Sequence, residues 1–480
     1  MNPGEWEAPR ITPLEFNQLN KFGQRRVGSE AQEAIDGVPV ATLIERFGSP
    51  LFVTSEQRLR ANIRRLHRAF ASRRVPAVHG WSYKTNYNSA VCNVLHQEGS
   101  WAEVVSRFEY EKARRLGVPG DRILFNGPNK PRAILERAIA EGARLHVDHF
   151  DELASVEDIA RGRGVPAPVA LRVNFDTGFA EPWSRFGFNL ESGQAREAIA
   201  IVKASAHLKL IGLHNHIGTF ILDPRAYAAQ VRILCTLLQE VEADGSTRLD
   251  YLDIGGGLPS RNALQGVYLP PEQAVPDIEE YAEAICGAFL EGTAYRVQKG
   301  EPRPTLIFES GRAVIDDAQA LIASVVGRKQ LPNGCPAAIL DAGVNLLFTA
   351  FWYNHNVRLA SPARGEPCET VLYGPLCMNI DVVRNSVQLP PLAPGDQLVI
   401  SPVGAYNNTQ WMQFIEYRPA VVMIHEDGTV STIRGAEDLD SMCAHDCLPA
   451  HLRQPFVDGP DQAGDPARPP ANLIPLRAGR

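Results

Sequence analysis

Short apolar stretches alternate with amphipathic ones along most of the first 315 residues. Each apolar stretch has the length of one buried strand, and the stretch that follows repeats its apolar residues with the period of a helix. Eight strands are predicted, at residues 78–84, 102–106, 123–126, 145–148, 169–174, 210–216, 251–255 and 305–309. Eight strand–helix alternations predict an α/β fold, a closed (β/α)8 barrel of the TIM type rather than an open sheet.

The pattern changes after residue 315. Strands separated by Pro- and Gly-rich turns are predicted at residues 319–327, 337–341, 370–373, 397–401 and 419–425, and they indicate a C-terminal all-β domain. The predicted division is a lead-in over 1–48 that can pack on the β domain, the barrel over 49–315, the β domain over 316–450 and a disordered tail over 451–480.

Composition and charge narrow the classes of function. Hydrophobic residues make up 44% and charged residues 21% of the chain, as in an ordinary globular protein with a large core. The net charge of −7 gives no basic footprint for nucleic acid. No apolar run reaches the ~18 residues of a membrane span, and residues 1–10 lack the apolar stretch of a signal peptide. We therefore expect a cytoplasmic protein with neither a nucleic-acid nor a membrane partner.

The cysteines do not indicate a structural framework. All eight are scattered along the chain, unlike those of a disulfide-rich domain. Cys443, His445 and Cys447 lie close together in sequence, but a zinc site needs a second ligand pair that is not evident nearby. No metal is expected.

Polar residues gather where the predicted strands end, which is where such barrels keep their chemistry. Lys84 follows the first strand, and burial of a lysine there favours its neutral, nucleophilic amine. Gly255, Gly256 and Gly257 follow the seventh strand and allow backbone N–H groups to approach an anion such as a phosphate. A tight turn without a ligand is the simpler interpretation of three glycines alone.

Two further strand ends carry candidate chemistry. Glu309 and Arg312 stand at the end of the eighth strand, three residues apart, and can reach two different parts of one ligand. The carboxylate could hold a protonated ring nitrogen, and the guanidinium suits a phosphate. A surface ion pair is the alternative. His214 and His216 share one face of a strand, as metal ligands or as a hydrogen-bonded pair would. No third ligand is evident, so we favour stacking of one imidazole on a planar cofactor. Cys377, in the β domain, is by itself more typical of packing than of catalysis.

In this order the segments resemble the fold-type-III pyridoxal-phosphate decarboxylases, the family of the diaminopimelate and ornithine decarboxylases. The resemblance runs from about residue 50 to about residue 420. The segments that carry it are Tyr-Lys-Thr-Asn at 83–86, Ala-Glu-Val-Val-Ser at 102–106, Phe-Asn-Gly-Pro-Asn-Lys at 125–130, Ser-Arg-Phe-Gly at 184–187, His-Asn-His-Ile-Gly-Thr at 214–219, Gly-Gly-Gly at 255–257, Glu-Ser-Gly-Arg at 309–312, Gly-Pro-Leu-Cys at 374–377 and Gly-Ala-Tyr at 404–406.

The resemblance implies a cofactor, a reaction and an assembly. Lys84 would bind pyridoxal 5'-phosphate as an aldimine, and His216 would stack on its ring. Glu309 would keep the ring nitrogen protonated, so that the ring accepts the electrons released by decarboxylation in a quinonoid intermediate. The implied phosphate ligands are Gly255, Gly256, Gly257, Gly311, Arg312 and Tyr406, with Thr219 as a further candidate. Cys377 would protonate the product carbon from the partner subunit of a homodimer with shared active sites.

Three positions bear on the amino acid substrate. Met378 stands where the family has an acidic residue for a distal ammonium, Arg358 is the candidate for a distal carboxylate, and Asp381 lies in the Met378 loop. An unpaired ammonium is costly in a buried site. We therefore expect a substrate without a free distal amine, such as an amide-linked or siderophore-precursor amino acid.

Three alternatives to this predicted function remain. The first is a diaminopimelate decarboxylase of lysine biosynthesis. The second is an amino-acid racemase on the same scaffold, although the resemblance places Glu309 where racemases carry an arginine and so favours decarboxylation. The third is a non-enzymatic cofactor-binding protein, which the predicted β domain with Cys377 and Tyr406 argues against.

Overall fold

The computed structural model describes residues 19–20, 23–24 and 31–453, apart from residues 268 and 363. The described residues up to 436 belong to one compact unit, and residues 437–453, with the short helix Leu439–Met442, belong to a second. The tail predicted to be disordered lies, from residue 454 onwards, outside the described residues. No helix among the described residues is long and apolar enough to cross a membrane.

Eight parallel strands close into a barrel, which confirms the predicted fold class. The first strand pairs with the second and the eighth, and the fourth pairs with the fifth, so the sheet closes on itself. The barrel strands are Ala77–Ser82, Trp101–Val104, Ile123–Phe125, Arg144–Val147, Ala167–Asn174, Leu208–His214, Tyr251–Asp253 and Thr305–Phe308.

Helices surround the barrel and bury their apolar faces against the strands. Polar side chains cap several of them, because the first backbone N–H groups of a helix have no partner within it. Ser55 accepts a hydrogen bond from the N–H of Arg58, and Asp223 accepts one from the N–H of Arg225. The main helices are Glu56–Ala71, Ser89–Gln97, Arg107–Arg115, Arg132–Ala140, Phe150–Arg163, Gln194–Ala204, Pro224–Glu242 and Ile278–Gly292.

The predicted β-rich region forms a second sheet. Its central strand, Gln319–Gln330, pairs with three others. The strands of this sheet are Leu51–Ser55, Gln319–Gln330, Pro336–Leu340, Asn356–Leu359, Cys368–Tyr373, Val382–Leu389, Gln397–Ser401, Val421–Ile424 and Val430–Arg434.

The strand Leu51–Ser55 corrects the predicted start of the barrel at residue 49. It lies in the second sheet, between Gln319–Gln330 and Val421–Ile424. Phe52 faces one apolar core of that sheet and Leu51 faces another. A strand buried on both faces reads as a continuous apolar run, so its sequence does not reveal which sheet it joins.

Part of the predicted lead-in also packs on the second sheet. The helix Val40–Phe47 buries Val40 and Leu43 in a core with Ile322 and Val422. The chain therefore reaches the β domain before it enters the barrel.

The inside of the barrel has two layers of different character. The lower layer is mostly apolar and consists of the side chains of Leu124, Ala170, Ile211, Tyr251 and Ile307. Polar side chains occupy the layer above, at the carboxyl ends of the strands.

Candidate active site

Every barrel strand contributes at least one buried polar side chain near or just after its carboxyl end, and one from each strand is considered first. These residues are Ser82, Glu103, Asn126, His146, Arg172, His214, Asp253 and Glu309. Because they come from eight different strands, only closure of the barrel brings them together.

Lys84 lies in the 3-10 turn Tyr83–Thr85, directly after the first strand. Its Nζ lies 2.5 Å from Glu103 Oε2 and 3.3 Å from Ser82 Oγ. Burial lowers the pKa of Lys84, but the negative charges of Glu103 and Glu309 outweigh burial and raise the pKa above its ordinary value. The amine is therefore charged at neutral pH. The sequence predicted a neutral amine because it does not show that the two carboxylates, from the strands on either side of the first, lie beside Lys84.

The Glu309 carboxylate is buried and hydrogen-bonded. Its Oε1 accepts from Asn126 Nδ2 at 2.7 Å, and its Oε2 lies 3.6 Å from His214 Nε2. Asn126 Nδ2 also donates to Glu103 Oε1 at 2.9 Å. Burial raises the pKa of Asp253 well above its ordinary value, and repulsion by Glu309 adds to the effect. Both effects favour the protonated form of Asp253.

One group of side chains of metal-ligating type converges in the described part of the chain. Its members are His146, His214, Asp253 and Glu309, whose ligand atoms lie within 4.8 Å of one another. Both ring nitrogens of His146 are already hydrogen-bonded, Nδ1 to Asn126 Oδ1 at 2.5 Å and Nε2 to Tyr251 OH at 2.9 Å. A histidine ligand needs a free nitrogen lone pair. In this arrangement His146 therefore has no free nitrogen to offer a metal ion.

His216 is half-buried just beyond the strand Leu208–His214. Its ring packs against Trp183, with the ring centres 5.2 Å apart. Burial lowers the pKa of His216 to about 3, and the positive charge of Arg172 adds to this effect. The ring is therefore neutral at physiological pH. A Cβ added at Gly255 would lie 2.8 Å from His216 Cβ, so glycine allows this close approach.

The glycines predicted to bind an anion lie where side chains do not fit. A Cβ added at Gly256 would lie 2.5 Å from Glu309 O, and one added at Gly311 would lie 2.0 Å from Thr85 Oγ1. Gly257 has a φ of 97°, and its Cβ would lie 2.3 Å from a backbone oxygen. These positions require glycine for close packing of the backbone.

Arg312 is buried beside these glycines. Its guanidinium carbon lies 4.8 Å from the centre of the Tyr406 ring. Its Nη1 is buried and has no hydrogen-bond partner among the described residues. Tyr406 has a φ of 68°, and its N–H donates to Thr85 O at 2.8 Å, which attaches this β-domain loop to the Lys84 turn. A buried donor without a partner is costly and indicates a place for an anionic ligand.

The remaining predicted residues lie at or near the surface of the chain. Thr219, Arg358 and Cys377 are exposed, and Met378 is half-buried. Within the described part of the chain, neither Arg358 nor Cys377 forms a hydrogen bond or ion pair with the polar residues inside the barrel.

Asp381 differs from its predicted role as a substrate residue. Its carboxylate is buried and accepts from the N–H of Val344 at 2.8 Å and from the N–H of Leu376 at 2.7 Å. Asp381 therefore holds two loops of the β domain together.

Six residues of the site received no role from the sequence, namely Ser82, Glu103, Asn126, His146, Arg172 and Asp253. A signal was present, because each is a polar residue within or at the end of an otherwise apolar strand. The pattern shows that such a residue is buried, but not which residues meet across the barrel.

The chain was compared with known families and structures. The family profile described as pyridoxal-dependent decarboxylase, pyridoxal binding domain, matches residues 57–316, more than half of the chain. The chain belongs to the pyridoxal-dependent decarboxylases. Diaminopimelate decarboxylase of Methanothermobacter thermautotrophicus is 30% identical over 90% of this chain and 99% of its own length.

Solved structures of similar decarboxylases agree with this assignment. Diaminopimelate decarboxylase of Methanocaldococcus jannaschii matches with a TM-score of 0.80 and 28% identity, over 87% of this chain and 96% of that one. The Helicobacter pylori enzyme, complexed with L-lysine, matches with a TM-score of 0.74 and 25% identity, over 84% of this chain and 98% of that one.

Family membership confirms the predicted reaction class and cofactor. The protein is a pyridoxal-phosphate-dependent amino acid decarboxylase, a carboxy-lyase. Its site fits this cofactor. The buried, unpartnered nitrogen of Arg312 suits a phosphate, and Lys84 supplies the amine for a carbonyl group.

The substrate expected for this decarboxylase was wrong. Its relatives are diaminopimelate decarboxylases, and two of the similar structures hold L-lysine, which carries a free distal amine. The expectation of a substrate without such an amine depended mainly on Met378. Because several loops form the pocket of a barrel enzyme, one apolar residue does not exclude a charged group from it.

Proposed function

We propose that this chain is a diaminopimelate decarboxylase, which releases one carboxylate of diaminopimelate as CO2 and leaves lysine. The supporting observation is the similarity to diaminopimelate decarboxylases along nearly the whole length of those enzymes. The lysine bound to two of the similar proteins is the product of the proposed reaction.

In this proposal, bound pyridoxal phosphate supplies a sink for the electron pair left behind by CO2. Lys84 would anchor the cofactor, and the neutral His216 ring would pack against its ring. Glu309 would hold a proton at the ring nitrogen. The residues proposed to bind the phosphate are Arg312, Tyr406, Gly255, Gly256, Gly257 and Gly311. Glu103 accepts the proton that Lys84 Nζ must lose before it reacts, since the two groups are in direct contact.

Release of CO2 from single amino acids tests the substrate. Purified protein with added cofactor would be offered diaminopimelate, lysine or ornithine. We expect rapid release from diaminopimelate alone, no release by Lys84→Ala, and normal release by the control Lys203→Ala, which changes a lysine of an outer helix. Rapid release from ornithine or lysine with none from diaminopimelate would contradict the proposed substrate.

We further propose a homodimer in which the partner subunit's Cys377 completes each site. Cys377 is exposed, and Ile380 and Trp352 of the β domain are 50% and 45% exposed. These exposed apolar side chains suit burial against a second subunit. A cytoplasmic location stays a prediction from the sequence.

Mixing two inactive variants tests the shared site. Lys84→Ala and Cys377→Ala would be dissociated, combined in equal amounts and reassociated. Each mixed dimer then contains one intact site, so we expect activity to return to roughly a quarter of the wild-type value. Failure of the mixture to exceed either variant alone, although mixed dimers form, would contradict the shared site.

A further inference from the structure

A line of hydrogen bonds crosses the barrel and ends on the two carboxylates of the site. Tyr251 OH lies 2.9 Å from His146 Nε2, and His146 Nδ1 lies 2.5 Å from Asn126 Oδ1. Asn126 Nδ2 lies 2.7 Å from Glu309 Oε1 and 2.9 Å from Glu103 Oε1. None of the five side chains is more than 3% exposed, so water cannot replace a lost bond cheaply.

The chemistry of the groups determines the direction of every bond in this line. An ionised carboxylate only accepts, so Asn126 presents its NH2 group to Glu309 and Glu103 and its oxygen to His146. His146 Nδ1 must then carry the ring proton, and Nε2 accepts from the Tyr251 hydroxyl. Burial keeps the pKa of His146 well below its ordinary value, which is consistent with a neutral ring. All donors therefore point toward the two carboxylates.

We propose that Tyr251, His146 and Asn126 are positioning residues, which hold Glu309 toward the cofactor's ring nitrogen and Glu103 toward Lys84. Hydrogen bonds arranged in series polarise one another, so the tyrosine hydroxyl strengthens the bonds that the amide donates. One amide sets the spacing of both carboxylates. The inference depends on the cofactor of this family and is independent of the amino acid that the enzyme decarboxylates.

Other charged or titratable groups also face the two carboxylates. They are Lys84, Glu109, Arg172, His214, His216 and Asp253. The variants described below leave all six unchanged. Because Tyr251→Phe introduces no new titratable group, a change in the pH dependence of the site in that variant would arise from the line of hydrogen bonds.

Binding of pyridoxamine 5'-phosphate tests the proposal apart from catalysis. This compound has no carbonyl group to react with Lys84, so its affinity reports the contacts of ring and phosphate. Affinity would be measured from pH 5 to pH 9 by tryptophan fluorescence. Asn126→Asp replaces the donor by an acceptor of the same shape, and Tyr251→Phe removes only the first hydroxyl. The control Tyr110→Phe removes a buried hydroxyl that donates to Glu141 outside the barrel.

We expect Asn126→Asp to weaken binding about ten- to a hundredfold and Tyr251→Phe about three- to tenfold, because donors to charged groups are lost or weakened. In both variants the affinity should begin to fall at a higher pH on the acid side of the range, which we call the acid limb. Carboxylates with weaker donors take up protons more readily. Tyr110→Phe should leave affinity and acid limb unchanged.

The proposal would be overturned if Tyr251→Phe and Tyr110→Phe gave the same affinity and the same acid limb. Circular dichroism and thermal unfolding would establish that each variant folds. If Asn126→Asp does not fold, the two tyrosine variants decide the question by themselves.

Discussion

Lys84 Nζ lies 2.5 Å from Oε2 of Glu103, a carboxylate with no exposed side-chain surface. The amine proposed to anchor the cofactor is thus one half of an ion pair. The carboxylates beside it outweigh burial and raise its pKa. Cofactor attachment must therefore include transfer of a proton away from Lys84.

Removing the charge of Glu103 should make Lys84 more reactive. In Glu103→Gln, burial continues to lower the pKa of Lys84, while only Glu309 remains as a strong opposing charge. In protein prepared without cofactor, we expect an amine-specific reagent to label Lys84 at pH 8 at least about tenfold faster, the effect of one pKa unit. Peptide mass spectrometry measures the labelling rate. The control Glu136→Gln changes an exposed ion pair and should leave this rate unchanged.

The same ion pair also affects stability at high pH. Because the folded-state pKa of Lys84 lies above its ordinary value of 10.5, the contribution of the pair is complete below that pH and is lost as pH rises through the folded-state pKa.

In the labelling experiment, an unchanged rate in Glu103→Gln would mean that Glu103 does not control the charge of Lys84.

Glu109 should make stability depend on pH in the opposite sense to an ordinary surface carboxylate. Burial, and then repulsion by Glu103, raises its pKa from 4.5 to about 7. Between these pH values the folded state binds more protons than the unfolded state, so the free energy of unfolding falls as pH rises.

Glu109→Gln cannot titrate and can still accept the hydrogen bond from Val105 N–H. We expect its melting temperature to rise relative to wild type between pH 5 and pH 7. The control Glu111→Gln, on the same helix but exposed, should follow the wild-type curve. Parallel curves for Glu109→Gln and wild type would contradict the raised pKa.

Lys130 and Glu152 form an ion pair with at most 2% of either side chain exposed. Lys130 Nζ also donates to Gly127 O at 2.7 Å and to His146 O at 3.0 Å. Lys130→Met leaves a buried carboxylate without its partner, and we expect the free energy of unfolding to fall by about 3–5 kcal/mol. Urea unfolding measures this change.

An exposed pair provides the comparison for Lys130. Arg132→Met removes an exposed ion pair with Glu136 and should cost less than about 1 kcal/mol. The double variant Lys130→Met with Glu152→Leu should recover part of the loss, because neither charge of this pair is then left without its partner. Equal losses for Lys130→Met and Arg132→Met would contradict the importance of the buried pair.

Replacement by alanine should change the stability of the protein in opposite directions at two of its glycines. At Gly256 a Cβ would lie 2.5 Å from Glu309 O, and we expect Gly256→Ala to cost about 1–3 kcal/mol of stability and to weaken cofactor binding. At Gly287, in the helix Ile278–Gly292, a Cβ meets nothing within 4 Å, so Gly287→Ala should stabilise by about 0.5–1 kcal/mol. Thermal unfolding gives the sign of each change, and shifts of the same sign would contradict the difference in packing.

The sequence by itself determined the fold class and the cofactor chemistry. Eight apolar segments alternating with helical ones allow few architectures, because each parallel strand needs a crossover before the next. Lys84, Glu309 and Arg312 were identifiable because they belong to the segments that resemble the pyridoxal-phosphate decarboxylases, and because each lies within four residues of the end of a strand, where the carboxyl ends meet at one face of a barrel.

Only the tertiary structure decided which groups meet. The ion pair of Lys84 with Glu103 and the amide of Asn126 between two carboxylates join side chains of different strands, up to 183 residues apart in the sequence. The tertiary structure also decided which sheet the strand Leu51–Ser55 joins, because its apolar pattern fits either sheet. Periodicity reports whether a side chain is buried, whereas pKa values and hydrogen-bond direction depend on distances of a few ångströms between strands, which no local pattern encodes.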